Sequence, residues 1–174
     1  MNHRSIPHRI ACMTLVLCML FLTFAFSSCT QPEPSDSEAG YAIVIGNTTI
    51  RVDDDAAPVL SSLGAWKLYD EDPSCQFDGL DKIYVYGGFR IQTYPENGGE
   101  FVYSVELLDD SIATPEGIVI GSSRDAVLEK YGTDMKEEME KIIYTDKTET
   151  MQLKFLIRNG KVTNIQYVKL MPEN

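Results

Sequence analysis

The spacing of turn signals through the middle and end of this chain limits its fold more than any other feature. Residues 82–86, 89–94 and 101–108 are rich in β-branched and aromatic residues and read as strands. Gly87-Gly88 joins the first two, and residues 95–100, with Asn97-Gly98-Gly99, join the second pair. Connections this short leave no room for a crossover helix, so the strands must pair antiparallel as hairpins. The pattern returns near the end. Residues 142–145 form a strand, 146–149 a turn, and 151–157 alternate cleanly, with Met151, Leu153, Phe155 and Ile157 on one face. Asn159-Gly160 is a strong hairpin signal before a last strand over residues 161–170.

A short helix is expected ahead of each run. One of Asp53, Asp54 and Asp55 can cap a helix over residues 56–63, with Pro58 tolerated in its first turn and Gly64 closing it. The second begins after Ser122 or Ser123, either of which can cap it. It carries Asp125 in its first turn and Val127, Leu128 and Tyr131 on one face, and it ends at Gly132. Gly117 and Gly121 flank the short strand that feeds it, as in a phosphate-binding turn. However, the chain has no Gly-Lys-Ser/Thr and no dinucleotide glycine spacing, so a structural cap is the preferred reading. Laid over each other, Gly46 falls with Gly121, Leu63-Gly64 with Tyr131-Gly132, and residues 82–84 with 141–143. The expected fold is α+β: two tandem helix-plus-meander units, about 41–110 and 114–171, with helices on one face of an antiparallel sheet. An extra hairpin, residues 41–45 and 48–52, opens the first unit alone. Residues 65–69 should form a strand, 70–79 a long polar loop, and 133–141 a loop or short helix.

The N-terminus reads separately. Arg4 and Arg9 precede an apolar run over residues 10–26, then Ser27-Ser28-Cys29. Residues 1–28 are therefore expected to be a bacterial lipoprotein signal, with Cys29 lipidated and the rest of the chain held at the membrane outside the cytoplasm. Phe26 stands where Leu is usual, and an uncleaved anchor is the alternative. Residues 29–39, rich in Pro and Ser, form a flexible spacer, and residues 40–174 form one domain.

Composition narrows the chemistry. Removing Arg4 and Arg9 leaves 13 of the 15 basic residues against 26 acids, a net charge of −13, which is no footprint for nucleic acid. Both histidines, His3 and His8, and also Cys12 and Cys18, lie within residues 1–28. Only Cys75 remains beside Cys29, so histidine-based triads, Cys-His catalysis and His or thiolate zinc sites are excluded. Cys75 is expected to pack as a small hydrophobe. No cofactor and no metal is expected.

Residues 114–132, an apolar-Gly-Ser turn into a Val-Leu helix ending Tyr-Gly, resemble a family of mostly uncharacterised lipoproteins from Gram-positive bacteria, over roughly residues 40–170. The doubled unit also resembles the β-lactamase-inhibitor-protein fold and the small lipoprotein of the outer-membrane β-barrel assembly machinery. The resemblance implies a fold and a location, and neither an enzyme activity nor β-lactamase inhibition.

On the central strands, Tyr84, Tyr86, Arg90, Gln92 and Tyr94 are expected to line one sheet face. Tyr and Arg are enriched at protein-protein hot spots, so this face is the candidate partner site. The expected function is a lipid-anchored, non-catalytic module that binds a protein or another envelope component. The alternatives are a carboxylate-based envelope hydrolase using Asp70-Glu71-Asp72 or Asp109-Asp110, and a small-molecule or metal sensor using the loop from Asp70 to Asp78.

Overall fold

The computed structural model describes residues 40–171. The expected signal, Cys29, the spacer and the last three residues lie outside that range. Two strands open the described chain, β1 (Ala42–Ile45) and β2 (Thr48–Arg51), paired as a hairpin. Helix α1 (Ala56–Leu63) follows, then strands β3 (Leu68–Pro73), β4 (Leu80–Val85), β5 (Phe89–Glu96) and β6 (Gly99–Leu107). Helix α2 (Arg124–Tyr131) leads into β7 (Lys136–Glu138), β8 (Lys141–Thr145), β9 (Met151–Arg158) and β10 (Lys161–Lys169).

β3 to β10 make one eight-stranded antiparallel sheet in the order β3-β4-β5-β6-β10-β9-β8-β7. Two four-stranded meanders thus meet edge to edge, β6 against β10, with Leu107 opposite Ile165 and Ser104 opposite Val168. The expected α+β fold with a helical layer is wrong. Strand accounts for 48% of the described residues and helix for 12%. The reason is dimensional. Eight strands span roughly 34 Å, whereas an eight-residue helix is about 12 Å long. The two helices therefore bury only Ala56, Val59 and Val127 between them. The core belongs mainly to the sheet itself, through Ile91, Val105, Leu107, Leu153, Phe155 and Ile165, with the β1-β2 hairpin adding Ile43 and Ile50.

Local chemistry explains the helices. Asp55 caps α1 by accepting from the Ala57 N–H, and Ser123 caps α2 by accepting from Ala126. Gly64 and Gly132 end them at φ 77° and 82°. The segments just before the two helices bond to the sheet in the same way. The Asp53 N–H donates to the Val102 carbonyl and Val102 to Asp54, while Gly121 donates to Val162 and Val162 to Ser122. Asp53, not Gly46, therefore stands where the second half has Gly121. Both are left-handed, at φ 70° and 94°.

Two further expectations are corrected. The strand expected at residues 65–69 runs from Leu68 to Pro73 and takes in Asp70, Glu71 and Asp72, which were expected in a loop. As an edge strand it pairs only with β4, so poor strand formers are tolerated there. Residues 136–138, expected as loop or helix, form the opposite edge strand β7.

Candidate functional site

The five residues expected on one face do not share it. Tyr84 stands opposite Ile91 and Val85 opposite Arg90. Directly paired residues share a face, so Tyr84 lies with the core and Arg90 and Gln92 lie on the other side. Tyr86 stacks on Phe89 at 4.6 Å, also in the core. Tyr84, Tyr86 and Tyr94 are buried, leaving Arg90 exposed and Gln92 half-buried. Even Arg90 is engaged. It is paired with Glu106, which also accepts from Asn164 Nδ2 at 2.5 Å, so the three link β5, β6 and β10 across the seam between the meanders.

Exposed aromatic surface instead gathers at the β3 edge. After Gly64 the chain brings Trp66 against Tyr84 at 5.1 Å, edge to face. Tyr69, opposite Tyr84 on β3, completes the group at 5.2 Å from Tyr84 and 6.2 Å from Trp66. Trp66 is 45% exposed, Tyr69 44% and Leu68 68%. Beneath them Glu100 accepts from Lys82 Nζ (2.6 Å), Thr93 Oγ1 (2.6 Å) and Tyr84 Oη (2.9 Å). Burial opposes its charge, but these three donors outweigh it and hold the carboxyl below its ordinary range. Burial raises the Tyr84 phenol, and its bond to Glu100 raises it further. Tyr69, hydrogen-bonded to Glu71, is pushed up to about 12.

A second feature lies on the opposite face, under the loop joining β3 to β4. Phe77 from that loop sits 4.7 Å from the Tyr94 ring, and Tyr103 packs edge-on to Tyr94 at 6.3 Å. With Cys75, Gln76, Asp81 and Gln92 these rings enclose a cavity of about 130 Å³. Tyr94 is held by its hydroxyl, which donates to Asp53 Oδ1 at 2.9 Å, and Lys169 Nζ reaches Asp53 Oδ2 at 2.8 Å. Lys169 also lines a broader depression with Thr145, Glu149, Thr150, Leu170 and Met171, but there its charge is already taken by Asp53.

Of the proposed acid clusters, Asp70 and Asp72 project from one side of β3 and Glu71 from the other, as strand alternation requires. Among the described residues, the carboxyl groups that depart clearly from their ordinary range, namely Glu100, Asp109, Glu138 and Asp146, all lie below it. Cys75 is exposed, not packed. Among the described residues no group of three or more His, Cys, Asp or Glu side chains is placed to hold a metal ion. Trp66, Leu68, Phe77, Asp81 and Tyr103 were not anticipated as site residues. The one available signal was Trp66, the chain's single tryptophan beside an acidic run.

Comparison with protein-family models, with curated proteins and with solved structures found no match.

Proposed function

We propose that this protein is a lipid-anchored, non-catalytic binding module outside the cytoplasm, which captures a protein or another envelope component at the β3 edge. The observation that carries this reading is the exposed pair Trp66 and Tyr69 beside the open outer edge of β3, with Leu68 exposed on the strand's other face. An open edge offers free backbone donors and acceptors to an added strand. Exposed aromatics seated on a rigid base supply anchoring area at little entropic cost. Tyr84, buried under both rings and tied to Glu100, is that base. Asp70, Glu71 and Asp72 along the same strand favour a basic segment in the partner. Anchoring rests on the Ser27-Ser28-Cys29 signal and the spacer behind it.

The test is crosslinking and pull-down of the anchored protein from native envelopes, wild type against Trp66→Ala combined with Leu68→Lys. The double variant should keep its fold and lose capture of a specific partner by roughly tenfold or more. Equal capture by both forms would refute the edge as the docking site. A Cys29→Ser variant should leave the membrane fraction.

A further inference from the structure

We propose that the cavity under the β3-β4 loop is a site for an alkylammonium group, carried by a lysine side chain of a partner or by a free small amine. This goes beyond the edge-docking reading and does not depend on it, because the cavity opens on the other face of the sheet.

Three observations carry the inference. Asp81 Oδ1 is buried without any hydrogen-bond partner. A buried acceptor left unmade costs free energy, and the side chain that carries it lines the cavity. Asp81 also stands directly opposite Asp72 across β3 and β4. Like charges in that position repel, and among the described residues no Lys or Arg forms an ion pair with either. Finally, the walls are aromatic. Phe77, Tyr94 and Tyr103 present ring surface, and rings attract a cation within about 6 Å of their centroids. Tyr94 already has Lys169 Nζ at 5.3 Å from its centroid, and its hydroxyl is committed to Asp53, so it does not compete for Asp81.

These features together choose the ligand class. A carboxylate with an unused acceptor sets a positive charge and an N–H donor. Aromatic walls favour a soft, weakly hydrated cation with carbon attached over a hard metal ion, which needs six or more oxygen ligands. A volume of about 130 Å³ admits an ammonium with a short alkyl stem and excludes anything as large as a nucleotide. Gln92 at the wall can accept a second N–H through its side-chain carbonyl.

The experiment is calorimetric titration of the full-length protein in detergent with butylammonium chloride and with an Nα-acetyl-lysine amide peptide, using potassium chloride as the control. Saturable binding of both amines, absent for potassium, is expected. Asp81→Asn keeps the side-chain shape and should weaken binding about tenfold or more through loss of the charge. Tyr103→Leu should weaken it roughly three- to tenfold through loss of a ring. Tighter binding of the lysine peptide assigns the group to a partner chain, and equal binding assigns it to a free amine. The melting temperature of each variant is measured alongside. If Asp81→Asn fails to fold, Tyr103→Leu and Phe77→Leu carry the same comparison. Absence of saturable amine binding by the wild type, or unchanged affinity in a folded Asp81→Asn, would overturn the proposal. So would stabilisation by calcium in the absence of any amine effect.

Discussion

The two meanders occupy matching places in one sheet, yet they finish their outer edges in opposite ways. β7 is three residues long and reads Lys-Glu-Glu, with Lys136 paired to Glu138. A short, charged edge discourages further strand pairing. β3 is six residues long, exposed throughout, and is preceded by Trp66. The same position is thus sealed in one half and open in the other. The difference extends inward. The β8-β9 turn is closed by Asp146, which accepts from the backbone N–H of Thr150 (2.8 Å) and Met151 (2.9 Å) and from the Thr150 hydroxyl (3.0 Å). The β4-β5 turn, Gly87-Gly88, has no such carboxylate within it and relies on tight packing against Asp109 and Ser111. Both halves commit carboxylates to structure, Glu100 in the first and Asp146 in the second, but only the first leaves aromatic surface exposed at its outer edge.

The largest effect should come from opening the polar turn. Asp146→Ala removes a buried carboxylate and strands its donors, and should destabilise the protein by about 2–4 kcal/mol in chemical denaturation. Burial pushes the Asp146 carboxyl up, but Thr148, the Met151 N–H and Thr150 outweigh it and hold it below its ordinary value. A folded-state value below the unfolded one means that this stability is present above the ordinary carboxylate range and is lost as pH falls below it. The variant should therefore show a flatter acid limb than the wild type. An unchanged limb would mean that Asp146 does not distinguish the halves.

A smaller effect is expected at the glycine turn. A Cβ at Gly88 would collide with Ser111 Oγ and lie 2.9 Å from Asp109 Oδ1. Gly88→Ala should cost about 1–3 kcal/mol, and a melt indistinguishable from wild type would show that this turn yields freely. The smallest difference should appear at the paired left-handed positions. Gly121 has open space around it, so Gly121→Ala should cost about 1 kcal/mol from backbone strain alone. Asp53→Gly relieves the same strain but loses the bonds to Tyr94 and Lys169, so its net change should stay within about 1 kcal/mol. Matching denaturation curves for the two variants would erase that part of the contrast.

Much of the frame could be read from residues whose chemistry is local. The caps, narrowed to Asp53–Asp55 and to Ser122 or Ser123, the stops at Gly64 and Gly132, and the Asn159-Gly160 hairpin depend on neighbours within a few positions. The alternation of Met151, Leu153, Phe155 and Ile157 against polar partners also fixed their face. β4 defeated the same logic, because Ile83 and Val85 are as apolar as Tyr84 and Tyr86. Alternation between two apolar sets does not say which set faces inward. The register with β5 decides it, and register is a long-range property. Tyr103 was hidden for a related reason. It is the extra residue where the β5-β6 register shifts between Gln92 and Thr93. β3 was placed too early and β7 was missed because edge strands accept residues that central strands reject. The helical layer was overcounted because two capped helices are conspicuous in sequence, whereas the width of the sheet they would have to cover is not.

The seam between β6 and β10 also has a kinetic consequence. Within each meander every strand pairs with its neighbour in sequence through a short turn, so little loop entropy stands against pairing. The seam instead joins residues far apart along the chain. Glu106 and Asn164, which bond across it, are separated by 58 positions. Closing it brings together strands separated by α2 and by β7, β8 and β9. Topology therefore favours pairing within each meander over closure of the seam that completes the sheet.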